Sequence, residues 1–150
     1  MPQSLAYNYS HIIFSTKNRE NFINESIADE LYTYMGGICK HLECFPVIIG
    51  GYSNHVHILC VISKKIALCN LIEKVKSSSS KWIKTKGKKY ENFYWQSGYG
   101  SFSVGQTDIH LVEKYIKNQK NHHSKKSFMD EYLEFLEENK VKYDLKYLWD

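Results

Sequence analysis

Proline occurs only twice in the 150 residues, which argues against long disordered linkers. No apolar run approaches the length of a membrane span; one of the longest covers only residues 56–62. The opening MPQSLAYNYS has no basic region leading into an apolar stretch. No secretory signal peptide is expected, and the protein is expected to be soluble and cytoplasmic. The four cysteines, Cys39, Cys44, Cys60 and Cys69, lack the paired CxxC spacing of a zinc ribbon. Cys60 lies in an apolar, strand-like run, and reduced thiols without a disulfide framework are expected. There is no glycine-rich phosphate loop and no carboxylate-rich cluster, which argues against a metal-dependent hydrolase of small phosphate esters.

The length suits one domain, enough to hide roughly 70% of the unfolded surface. Charge is unevenly spread. Of the 20 basic and 16 acidic side chains, residues 130–150 hold three and seven, leaving 17 and 9 in the remainder. The acids are Asp130, Glu131, Glu134, Glu137, Glu138, Asp144 and Asp150. A basic body with an acidic tail points to a polyanionic partner, with a merely solvated lysine surface as the plain alternative.

Residues 7–14 (YNYSHIIF) are β-branched and aromatic and read as a strand ending in the polar turn Ser15-Thr16-Lys17-Asn18-Arg19. Asn24 can cap a helix running to about Leu42, weakened in the middle by Gly36-Gly37. PVIIG (46–50) and HVHILCVI (55–62) read as a β-hairpin around Gly51-Tyr52-Ser53-Asn54. Leu68, Leu71, Ile72, Val75, Ser79 and Trp82 recur at helical spacing, giving a helix over about 66–84. A fourth strand falls near 99–104. Thr107 or Asp108 caps a helix to about His122, and a last helix starts near Ser127 with Phe128, Tyr132, Phe135 and Leu136 on one side. The order β-α-β-β-α-β followed by two helices predicts an α+β fold. It is a ferredoxin-like split βαβ antiparallel sheet with helices on one face, plus two C-terminal helices. Residues 1–106 form the sheet core, 107–123 the following helix and 124–150 the acidic tail of a single domain.

Residues two apart in a strand share a face. His55 and His57 therefore project together while Val56 and Ile58 point the other way. Two imidazoles on one face can chelate a divalent ion; they can equally be two polar groups on a solvated sheet face. In residues 108–121, Ile109, Val112 and Ile116 form the apolar stripe, and Tyr115 and Gln119 lie one helical turn apart on its flank. With 12 tyrosines in the chain, Tyr115 can be a packing residue or can face a partner. Between Lys74 and Lys89, seven lysines accompany Trp82 and Tyr90, with Phe93, Tyr94 and Trp95 following. Lysines suit a phosphate backbone and aromatics suit unstacked bases, although Trp82 sits on the apolar stripe and reads as core.

Taken in order, SHIIFSTKNR, NHVHILC, IEKVKSSSSKWIK, WQSGYGSFSV and YIKNQ span about Tyr9 to His122. In these pieces the sequence resembles the HUH single-tyrosine transposases of the bacterial insertion-sequence 200/605 group. The resemblance implies that His55 and His57 are the metal pair, Tyr115 the nucleophile and Gln119 the residue completing the metal shell. The ion would be magnesium or manganese. Lys17, Arg19, Lys76 and Ser78 fall in stretches resembling DNA-contacting regions, and Lys81 belongs to the lysine-rich helix. The resemblance further implies single-stranded DNA with hairpin-containing ends as substrate, a 5′-phosphotyrosine intermediate, and a homodimer whose tyrosine helix acts in trans. Two other readings share these residues. One is a non-catalytic single-stranded nucleic-acid binding module; the other is a domesticated relative that processes chromosomal hairpin repeats. The tail after Ser124 lies outside the resemblance, and His122 is a candidate base for Tyr115.

Overall fold

A computed structural model describes residues 2–150. Four strands, β1 (Asn8–Ser15), β2 (Pro46–Tyr52), β3 (His55–Ile62) and β4 (Gly100–Ser103), form one sheet in the order β2-β3-β1-β4. Every neighbouring pair is antiparallel. With α1 (Glu25–His41) between β1 and β2, and α2 (Leu68–Lys84) between β3 and β4, this is the split βαβ arrangement expected from the order of elements.

Local chemistry explains the crossover helices. The Asn24 side chain caps α1 by accepting from the Ile27 amide at 3.2 Å. Ile27, Leu31, Met35 and Cys39 recur every fourth residue and are buried. Gly36-Gly37 does not interrupt the helix. Gly36 is buried, and a Cβ there would meet Ile49 and Pro46 of β2 at ordinary contact distances. On α2, Leu71, Ile72, Val75, Ser79 and Ile83 are buried. These helices cover one face of the sheet, where Ile12, Phe14, Val56, Ile58 and Cys60 complete the main core. Trp82 packs at its edge, stacked on Tyr34 with ring centres 5.0 Å apart.

The opposite face is covered by the C-terminal third. α3 (Ile109–Lys117) and α4 (Gln119–His122) lie on β2. α5 (Phe128–Glu138) builds a second cluster from Phe128, Tyr132 and Leu136 with Ile13 and Phe102 of the sheet. α5 starts where expected, and Ser127 caps it by accepting from the Asp130 amide. Two expectations need correction. The single helix expected over 107–122 is a 3-10 turn at Gln106–Asp108 followed by α3 and α4. The break is at Asn118, whose N–H is shared between the carbonyls of Lys114 and Tyr115 at 3.1 and 3.2 Å. Neither candidate cap works as expected, because Thr107 lies inside the 3-10 turn and the Asp108 side chain makes no capping bond. Within the acidic segment, α5 buries the expected apolar stripe against the sheet.

Close approach of α3 to β2 fixes where Tyr115 sits. A Cβ on Gly50 would lie 2.9 Å from Ile116 Cγ2 and 3.2 Å from its carbonyl oxygen. Gly50→Ala is therefore expected to destabilise the protein by about 1–3 kcal/mol, because the closest contact is a methyl of the buried Ile116 and the next is helix backbone, so neither yields without moving α3. Gly37→Ala meets nothing within 4 Å and should stabilise by up to about 1 kcal/mol through helix propensity. Chemical denaturation of both variants checks the opposite signs; a neutral Gly50→Ala would show that α3 is loosely seated.

Candidate active site

β3 is an interior strand, and its register places His55 opposite Ser15 and His57 opposite Ile13 of β1. Both imidazoles face the α3–α5 layer and are 0% exposed, which rules out the solvated-face reading. Val56 and Ile58 enter the main core on the other side. Each histidine is held from behind. Asn54 Oδ1 lies 2.8 Å from His55 Nδ1, and the Asn54 amide nitrogen donates to the Arg19 carbonyl, fixing which end faces the ring. His57 Nδ1 lies 2.7 Å from Nε2 of His11 on β1, a buried residue. Burial pushes His11 down to about 3, assisted by the charge of His57 and partly opposed by Glu131. Burial, then the charge of His57, likewise holds His55 well below the usual histidine range, against opposing contributions from Glu131 and Gln119.

Helices supply the rest. From α4, Gln119 Oε1 lies 3.0 Å from His55 Nε2 and 2.9 Å from His123 Nε2. From α5, Glu131 Oε1 lies 3.2 Å from His57 Nε2, 3.3 Å from His123 Nε2 and 3.5 Å from His55 Nε2. The Gln119 amide donates to Glu131 Oε2 at 3.2 Å. Burial alone would raise the Glu131 carboxyl, but the adjoining His123 and His57 outweigh it and hold it well below the usual carboxylate range. One ligand atom from each of His55, His57, His123 and Glu131 falls within 4.8 Å of all the others.

The donor chemistry of this cluster fits a cation. The Lys126 carbonyl, 2.7 Å from His123 Nδ1, can only accept, so Nδ1 carries the proton; Asn54 Oδ1 imposes the same tautomer on His55. In an uncharged ring each Nε2 then presents a lone pair inward. There it meets the Gln119 carbonyl and the Glu131 carboxylate, which present lone pairs too. A divalent ion with affinity for imidazole and oxygen resolves such a convergence. The partners behind the histidines fix the orientation of their rings.

Tyr115 enters from α3. Its hydroxyl donates to Glu131 Oε2 and lies 3.2 Å from His122 Nε2. Burial, then the bond to Glu131 and its charge, push the phenol above its ordinary value. Burial lowers His122, opposed by Glu131. Tyr115, Gln119, His55 and His57 are thus brought together, and all four groups belong to one chain.

None of the expected DNA-contacting residues hydrogen-bonds to this cluster. Lys17 is exposed in its turn, and Arg19 lies 5.4 Å over the Trp149 ring. Lys76 donates to the carbonyls of Gln96 and Gly98 at 2.8 and 2.6 Å, and burial pushes it down to about 8. Ser78 is half-buried and Lys81 exposed on α2. Three members of the cluster escaped the sequence reading: His11, His123 and Glu131. Glu131 had a signal, since it stands three residues after Phe128 and four before Phe135, on an apolar stripe where an ionised side chain needs a partner.

Comparison with known proteins fits this geometry. The model of the IS200-like transposase family matches residues 4–119, a span holding His55, His57, Tyr115 and Gln119 but not His123 or Glu131. Among solved structures, a protein of Deinococcus radiodurans R1 assigned as a transposase superposes with a TM-score of 0.61 at 19% identity. The match covers 79% of this chain and 96% of that one. A REP-associated tyrosine transposase bound to a REP hairpin superposes with a TM-score of 0.61 at 12% identity, over 82% and 74% of the two chains. At such identities these two matches speak for the fold. No curated protein sequence gives a significant match.

Proposed function

The chain belongs to the IS200-like transposase family, and from that membership we propose that it nicks and rejoins single-stranded DNA through a phosphotyrosine intermediate, with Tyr115 as nucleophile. The observation that carries the proposal is the shared carboxylate: Glu131 both closes the histidine cluster and accepts the Tyr115 hydroxyl. His55, His57, His123 and Glu131 would hold the metal, with Gln119 beside them. A magnesium or manganese ion there supplies Lewis-acid polarisation of the scissile phosphate.

The chain's own groups account for the rest. The Tyr115 oxygen attacks phosphorus, the bond to the 3′ oxygen breaks, and the products are a 5′-phosphotyrosine and a free 3′-OH. The phenol is protonated at neutral pH, and its proton has two acceptors in reach, Glu131 Oε2 and His122 Nε2. Because the phosphodiester is exchanged rather than hydrolysed, another 3′-OH can displace Tyr115 and reseal the strand without an external energy source. Releasing a segment requires two cleaved ends. One nucleophile per chain meets that need when two copies act as a homodimer, in which the resemblance implies that the tyrosine helix of each copy acts in the site of the other.

Hairpin-containing single strands are the substrate of choice, both from the resemblance and because a protein of this fold carries a hairpin. Purified protein mixed with labelled hairpin oligonucleotides from its own genomic flanks, with magnesium or manganese, is expected to give a denaturation-resistant protein–DNA band. Chelation should remove the band. Tight, metal-independent binding without any adduct would instead favour a non-catalytic single-stranded nucleic-acid binding module.

A further inference from the structure

Two clefts flank Tyr115, and they differ in charge. One, of about 600 Å³, is lined by Lys114, Lys125, Lys126, Asn118 and Asn121 together with the Tyr115 ring. The other, of about 280 Å³, has Glu134, Glu138 and Phe135 in its lining. Tyr115, His122 and Leu111 line both, so they form the ridge between them. The first cleft has three lysines and no acid; the second has two glutamates and no lysine. Lys126 is paired with Glu134 at 2.6 Å across the boundary. Lys114 and Lys125 are exposed, and neither forms an ion pair among the described residues, so they carry the cleft's unneutralised charge.

We propose that the lysine-lined cleft binds the single-stranded DNA next to the scissile phosphate, and that the glutamate-lined cleft repels it, so that the strand reaches Tyr115 from one side only. The proposal rests on the reading of Tyr115 as nucleophile and adds the path and residues that deliver the substrate.

The chemistry of the first cleft suits an unpaired strand. Lys114 and Lys125 offer point charges for successive phosphates. The break in the helix at Asn118 sets two amides into the wall. The Asn121 side-chain amide donates to Asn118 Oδ1 at 3.1 Å, leaving the Asn118 NH2 and Asn121 Oδ1 free to face a base edge. Leu111, 56% exposed on the ridge, offers apolar contact to an unstacked base. The volume lies within the range of about 300–1,000 Å³ of ligand sites. A duplex is the less suited occupant, since the bond to be cut must come within reach of a half-buried hydroxyl.

The test uses the full chain and fluorescence anisotropy over a salt series. The probes are a short unstructured oligonucleotide of mixed sequence and a blunt hairpin stem without single-stranded flanks. For the Lys114→Ala/Lys125→Ala double variant, the slope of log affinity against log salt on the single strand is expected to shrink by about 1.4, at about 0.7 per lost phosphate contact. Binding of the blunt stem should match the original protein. Glu138→Gln, in the acidic cleft, should not reduce the slope. An unchanged single-strand slope in the double variant overturns the proposal, as does an equal loss on the blunt stem. Both lysines are exposed, and a thermal melt run alongside establishes that the double variant is folded. Tyr115→Phe should keep the original slope, so failure of the nucleophile reading and failure of the cleft reading give separate results.

Discussion

Replacing Tyr115 with Phe is expected to abolish the covalent protein–DNA adduct and leave folding and DNA binding intact. The change removes one oxygen. That oxygen is the only tyrosine hydroxyl bonded to Glu131 among the described residues. The other aromatic neighbours cannot substitute. Tyr132 is largely buried beside Trp149 and Gly100, and Phe135 has no hydroxyl. The ring itself stays packed between His122 and Phe135, with centres 5.2 and 5.7 Å away. Glu131 keeps the bond donated by the Gln119 amide, so its buried charge is not left without a donor. Loss of the adduct with unchanged melting temperature and unchanged affinity is the signature of a nucleophile. An adduct that survives would remove Tyr115 from the mechanism. A melting temperature lower by many degrees would make the hydroxyl a structural group.

The reason Tyr115 could be singled out in sequence, while its surroundings could not, lies in how far each signal extends along the chain. Strand alternation puts His55 and His57 on one face, and one helical turn puts Tyr115 beside Gln119; both are local periodicities, and the roles of these residues were implied by the family resemblance. His11 escaped because its partner is on a neighbouring strand. Only the β1–β3 register brings its ring against His57. His123 follows the break at Asn118, where helical phase no longer predicts direction. Glu131 is one of the seven acids of the acidic tail, and composition alone does not separate it from the other six, although it interrupts the apolar stripe of α5. The crossover helices and all four strands were legible because propensity and burial agree there. The helix break was not, because Asn118 is an ordinary polar residue whose effect depends on what α3 and α4 meet on β2. Lys76 shows what position in a sequence leaves out. Its place in a lysine-rich helix suggested a phosphate contact, yet its ammonium is committed to the carbonyls of Gln96 and Gly98.

Glu131→Gln carries the second large effect, and its sign depends on metal. Without metal, the ionised carboxylate faces imidazole lone pairs, an arrangement of acceptors against acceptors. A glutamine of the same shape offers an NH2 that can donate to those lone pairs, so the metal-free variant should be as stable as the original protein or slightly more so. With metal, the order should reverse. At a metal concentration of about 100 times its Kd, the original protein gains about 2.7 kcal/mol. For a domain of this size that raises the melting temperature by about 5–10 °C. If losing the carboxylate weakens binding by about 100-fold, the variant gains only about 0.4 kcal/mol at the same concentration. Melting curves with and without manganese therefore should cross in rank. Equal metal-induced gains in the two proteins would exclude Glu131 from the metal site and leave it as a hydrogen-bond partner of Tyr115. A metal-free variant that is strongly destabilised would show instead that the carboxylate is balanced by protonated histidines. In that case the cluster holds the α3–α5 layer to the sheet through its own charges, and the fit to a cation loses its main support.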